Sequence, residues 1–171
     1  CNAVYRDFTP DYLVAVDTKM VNEIVKMRYQ YKGEVWTNYN KSFERYKGLN
    51  YFNPGKGWSS GPTALDLATS KNHSTIYILG FDFQGQGPEN KRVNNLFAGT
   101  ANYKRENDSA TYFGNWLRQT CTVIGKNPKI KYIRVIRNKE DFIPEQLTKY
   151  VNLSHMTVGD FVNSFQISEI S

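Results

Sequence analysis

Two aspartates close apolar runs. Asp17 follows Tyr12-Leu13-Val14-Ala15-Val16, and Asp82 follows Thr75-Ile76-Tyr77-Ile78-Leu79-Gly80-Phe81. Runs of this kind suit strands buried on both faces, and in open parallel sheets ligands gather just beyond the carboxyl ends of such strands. A carboxylate there accepts hydrogen bonds from ribose or sugar hydroxyls; its alternative task is to cap the next helix or end the strand. Gly55-x-Gly57, then Ser59-Ser60-Gly61, lie just ahead of a helical segment. Free backbone N–H groups at such a start favour phosphate or carboxylate. The spacing fits neither the Walker loop nor the dinucleotide Gly-x-Gly-x-x-Gly, so turn formation is the competing use of these glycines. His155, which with His73 completes the histidines, is a natural general base because it ionises near neutrality. A lone histidine more often serves structure. Arg92, Lys104 and Arg105 share a polar loop with Tyr103, pairing an anion clamp with a stacking surface. Solvated loop charge is the commoner origin of such residues.

The elements that must position these groups follow from periodicity and punctuation. Tyr12–Val16 reads as a strand and Thr18–Tyr31 as an amphipathic helix, with Met20, Val21, Ile24, Val25 and Met27 at helical spacing and Gly33 as its stop. Glu34–Thr37 is a second strand, completing a strand–helix–strand unit. Leu49–Phe52 is a short strand, 53–57 a loop, and Ser59–Pro62 the serine-capped start of a helix. Thr75–Phe81 is the clearest strand. Phe83–Asp108 is a long loop rich in Gly and Asn, a length that usually carries function or disorder. A helix over Ser109–Ile124 packs Phe113, Trp116, Leu117 and Cys121; Ile130–Ile136 is a strand alternating with basic residues. Pro144–Tyr150 and Thr157–Phe165 are short helices, the latter capped by Thr157.

The 171 residues suit one domain of ordinary size. With 40% hydrophobic and 15% aromatic residues, wholesale disorder is excluded. The formal charge of +6 suits phosphates, nucleic acid or anionic lipid, but no run of Lys or Arg forms a nucleic-acid arm. Cys1 and Cys121 make neither a disulfide framework nor a zinc site. Together with the lack of a signal peptide or an apolar run of membrane-spanning length, they lead to the expectation of a cytoplasmic protein.

Three segments together resemble a known family. Cys1-Asn2-Ala3-Val4-Tyr5-Arg6-Asp7, then Ser60-Gly61-Pro62 with Ile76-Tyr77-Ile78-Leu79-Gly80-Phe81-Asp82-Phe83, and finally His155 with Asp160, are similar to motifs of Rossmann-like bacterial sialyltransferases and of uncharacterised phage and bacterial glycosyltransferase-like proteins. The resemblance implies that Asn2 touches the nucleotide of an activated sugar, that Ser59, Ser60 and Gly61 orient this donor, and that His155 is the base. The family's opening strand with Gly-Asn-Gly-Pro-Ser has no counterpart here, so the domain is expected to lack an N-terminal strand–helix unit.

The combined expectation is an α/β fold, a Rossmann-like three-layer sandwich with a mainly parallel sheet. It would bind a nucleotide sugar or another phosphorylated small molecule at the sheet's C-terminal edge and transfer the sugar to a hydroxyl acceptor, without metal or cofactor. His155 and Asp82 are the catalytic candidates. Asn2, Asp17, Ser59, Ser60, Gly61, Arg92 and Tyr103 are the ligand-binding candidates. A non-catalytic nucleotide- or sugar-binding module and a basic nucleic-acid-associated protein are the alternatives.

Overall fold

The computed structural model describes residues 1–165. A short 3-10 turn, Asn2–Arg6, precedes strand β1 (Tyr12–Val14), whose Leu13 and Val14 are buried together with the following Ala15. Helix α1 (Thr18–Lys26) turns Met20, Val21 and Ile24 inward. It ends five residues before the expected Tyr31. Continuing it would bring Arg28, one turn beyond Ile24, onto the buried face. Instead Arg28 adopts φ 56°, in the left-handed region, and the chain re-enters the core with Tyr29, whose ring lies 5.0 Å from that of Tyr5. Strands β2 (Glu34–Asn38) and β3 (Leu49–Phe52) complete a parallel sheet in the order β1-β2-β3, with Leu13 opposite Val35 and Trp36 opposite Asn50.

Helix α2 (Ser60–Ser70) leads to strand β4 (Thr75–Ile78). This strand is shorter than the apolar run from which it is read. Gly80 takes φ +73°, and the chain leaves the strand direction so that Phe81 and Phe83 pack against Trp116 at ring separations of 5.1 and 5.4 Å. Asp82 therefore sits in a turn beyond β4. Helix α3 (Gly114–Lys126) starts five residues later than expected because Ser109 and Ala110 are bonded alongside Arg92 and Lys91. Strand β5 (Lys131–Ile136) does not alternate between core and solvent: Tyr132 through Ile136 are all buried, Arg134 included. Helix α4 (Glu145–Thr148) follows.

Periodicity predicts no strand over Leu153–Thr157; β6 lies there and pairs in parallel with β5, Arg134 opposite His155. Thr157 caps helix α5 (Val158–Phe165) as expected. Its Oγ1 accepts from the Asp160 N–H at 3.1 Å and donates to the Asp160 carboxylate at 2.7 Å.

The second sheet has the order β4-β5-β6, again wholly parallel. Ile76 and Ile78 face the core beneath α2 and α3, while Tyr77 meets Phe161 and Phe165 of α5 on the opposite face. Helices thus flank this sheet on both sides. The α/β class and its parallel pairing agree with a Rossmann-like fold, with the strands sorted into two three-stranded sheets. Helix α2 joins them, packing on β1, β4 and α3. Among the described residues no helix is long and apolar enough to cross a membrane.

Candidate functional site

A cleft of about 380 Å³ opens where β1 hands over to α1. Asp17 is the N-cap residue of α1, but its side chain makes no capping bond. The first amide to join the helix ladder is that of Val21, which donates to the Asp17 carbonyl. The amides of Thr18, Lys19 and Met20 have no intrahelical acceptor, as geometry demands of a first turn, and all three residues line the cleft with Asp17. The positive end of the helix dipole and the Lys19 ammonium favour an anion here; the Asp17 carboxylate opposes one and suits hydroxyl donors instead.

The opposite wall comes from segments distant in sequence: Asn2, Asn102 and Tyr103. Asn2 (φ 52°) and Asn102 (φ 68°) both adopt left-handed backbone. The Asn2 Oδ1 is buried without a hydrogen-bond partner. Tyr103 accepts a bond from the Ala3 amide at 3.2 Å, and burial raises its phenol pKa above the ordinary value.

One carboxylate ties these walls together. Glu23 of α1 accepts from Tyr5 at 2.6 Å, from the Arg6 Nε at 2.9 Å and Nη2 at 2.7 Å, and from Asn102 at 2.6 Å. Arg6 also donates to the Thr100 hydroxyl and the Ala101 carbonyl, and its guanidinium lies over the rings of Phe97 and Tyr103. Burial alone would raise the Glu23 pKa; the bonds from Tyr5, Arg6 and Asn102 outweigh it and hold the carboxyl below its ordinary value. Tyr5, through burial and then its bond to Glu23, is pushed up to about 12. Glu23 and Asn102 have no place in the sequence expectation, and Arg6 enters it only within the Cys1–Asp7 segment, without a role. No spacing rule links them, because the contacts span 17 and 79 residues.

Of the expected ligand residues, Asn2, Asp17 and Tyr103 meet in this cleft. The Ser59–Gly61 segment is engaged within the protein. The Ser59 amide donates to the Gln119 side chain at 3.0 Å, and the buried Ser60 hydroxyl accepts from the Val16 amide at 3.1 Å. A side chain at Gly61 would put its Cβ 2.9 Å from Trp116 Nε1 and 3.2 Å from Phe81, so this glycine allows α2 and α3 to approach closely. Arg92 lies outside the cleft lining, in antiparallel bridges to Gln86 and Ser109.

Asp82 and His155 belong to a different neighbourhood, built around the buried Arg134. Its guanidinium donates to the carbonyls of Phe81 at 2.7 Å, Phe142 at 3.1 Å and Asp82 at 3.3 Å, and lies over the Phe83 ring. It thereby fixes the turns that follow β4 and β5. The Asp82 carboxylate accepts from Asn94. His155 stands opposite Arg134 on β6, with its Nδ1 buried and unpartnered. Burial, and then the charge of Arg134, lower its pKa from 6.5, so it is neutral at pH 7. Asp160 is occupied in capping α5. Among the described residues no three His, Cys, Asp or Glu side chains converge as a metal site.

Compared with protein-family models, curated proteins and solved structures, the chain matches none.

Proposed function

We propose that this protein binds a nucleotide sugar, or a closely related phosphorylated sugar or nucleoside, in the cleft at the end of β1. One observation carries this reading: the first-turn residues of α1, whose amides have no intrahelical acceptor, line a cleft together with Asn2, Asp17 and Tyr103. A phosphate oxygen suits the Thr18–Met20 amides and Lys19. The Asp17 carboxylate suits sugar or ribose hydroxyls, which donate to it. Tyr103 offers a ring face for a base or sugar, and Asn2, whose Oδ1 is buried without a partner, has an acceptor that a small adjustment of the side chain would turn to a base edge. The resemblance of Asn2 and its neighbours to the nucleotide-contacting segment of the sialyltransferase-like proteins supports the same ligand class.

The reading favours binding over transfer. His155 stands on the outer strand of the second sheet, beside Arg134, whereas the cleft is built from β1, α1 and the 102–103 loop. Neutral His155 has the protonation state of a base, but the cleft is lined without it.

A thermal-shift screen against cytidine, uridine, guanosine and adenosine nucleotides and their sugar conjugates tests the proposal. A ligand at a hundred times its dissociation constant adds about 2.7 kcal/mol to folding, which raises the Tm of a domain this size by about 5–10 °C. Asp17→Ala should remove most of that shift for the sugar conjugate. The absence of a shift across the whole panel would refute the proposal.

A further inference from the structure

Five of the 22 basic residues, dispersed in sequence, lie in loops that serve one edge of the second sheet. The starts of β4, β5 and β6 are served by three loops, 71–74, 125–131 and 149–154. They contain Lys71, Lys126, Lys129, Lys131 and Lys149 and no acidic residue, so they account for nearly all of the net +6. All five lysines are exposed, and among the described residues none forms an ion pair. On the neighbouring helices the acidic residues are Asp66, which is paired with Lys56, Glu145, and Asp160, which is bonded to Thr157; Glu34 is bonded to Trp36, over whose ring Lys71 also lies.

These loops are bolted to one another. The Lys131 amide donates to the Ser74 carbonyl at 3.0 Å, and the Tyr132 amide to the Asn152 carbonyl at 2.8 Å. The Asn152 side-chain amide reaches the carbonyls of Ile124, Asn127 and Ile130. Tyr150 rests on Gly125, where an added Cβ would lie 2.9 Å from its ring. Lys71 is held over the ring of Tyr12, 4.4 Å from its centroid. The charges are therefore presented by a rigid base, and two of them, Lys129 and Lys131, line a groove of about 290 Å³ together with Asn152 and Ser154.

We infer that this lysine-rimmed groove binds the phosphodiester backbone of a nucleic acid, independently of the cleft at the end of β1. Ammonium groups act as point charges on phosphates without reading bases, so the binding is insensitive to sequence. A concave groove with lysines on its rim suits a strand of phosphates. A flat anionic bilayer also attracts lysines, but a concave groove matches the curvature of a strand better than a plane, so vesicle binding is the alternative outcome of the test.

Fluorescence anisotropy with a short labelled DNA duplex of mixed sequence tests the inference. At about 0.9 per phosphate neutralised, the two groove lysines alone predict a slope of log K against log salt of about −1.8, and all five lysines one of about −4.5. In Lys129→Ala/Lys131→Ala the slope should fall by about 1.8, and affinity should weaken to the same degree for unrelated sequences. Both side chains are exposed, so an unchanged Tm and circular-dichroism spectrum are expected and verify the fold. Three results would overturn the inference: no binding at low salt, a double variant that binds as tightly as the parent, or selective binding to phosphatidylserine vesicles with none to DNA.

Discussion

Replacing Glu23 with glutamine tests the tie that shapes the cleft. Glu23→Gln preserves size and one acceptor oxygen but removes the charge that Arg6 grips through Nε and Nη2. It also replaces with an NH2 group either the Oε1 to which Tyr5 and Arg6 donate or the Oε2 to which Arg6 and Asn102 donate. Breaking a fully buried pair costs about 3–5 kcal/mol, and an exposed pair contributes about 0–1 kcal/mol. With side chains 22% and 17% exposed, the Arg6–Glu23 pair lies between, at about 2–3 kcal/mol. For a domain of this size that corresponds to a loss of about 4–12 °C in Tm, readable by calorimetry and by urea denaturation. The pH dependence gives an independent check. The folded-state pKa of Glu23 is depressed, so its contribution is complete above the unfolded value of about 4.3 and is lost as pH falls through the folded pKa. The gap between parent and variant should hold from pH 8 to about pH 5 and close at lower pH. A Tm change below about 1 °C at pH 7, or a gap that persists undiminished in acid, would refute this account of the network.

Gly61→Ala should destabilise by about 1–3 kcal/mol in urea denaturation, because the new methyl meets Trp116 and Phe81 at 2.9 and 3.2 Å; a neutral result would show that α3 yields easily. Arg134→Lys should cost about 2–4 kcal/mol, since one ammonium cannot serve the carbonyls of Phe81, Asp82 and Phe142 together; an unchanged denaturation midpoint would contradict the bracing role. The His155 ring protons should titrate by NMR with a midpoint below 6.5, and stability should fall as pH drops through that midpoint, because the folded state holds the proton less well than the unfolded chain. A midpoint at or above 6.5 would oppose the burial seen for its Nδ1.

Much of the fold was readable in local pattern. β1, β3, β4 and β5 carry apolar or aromatic residues over most of their length, β2 is marked by its β-branched and aromatic residues after Gly33, and α2 follows its serine and proline start. β6 was not readable. Leu153-Ser154-His155-Met156-Thr157 has neither an apolar run nor the β-branched and aromatic pair that marks β2, and it is a strand because β5 offers it an open edge. The ends of α1 and α3 were misjudged for a similar reason: the burial of Tyr29 and the pairing of Ser109 with Arg92 are tertiary events. At the site, Asp17 was visible because it closes a strand run and Tyr103 because it sits in a long polar loop, while Asn2 entered through family resemblance. The Arg6–Glu23–Asn102 network and the gathering of the five lysines left no local trace, since each is made by joining segments far apart along the chain.

The most direct test of the nucleotide-sugar cleft is amide chemical-shift mapping on isotope-labelled protein during titration with the ligand that gives the largest thermal shift. The account predicts saturable changes concentrated at Thr18, Lys19 and Met20, with Asn2, Asn102 and Tyr103 following the same binding curve. Changes clustered around Arg134 and His155 instead, or no saturable change at the start of α1, would contradict it.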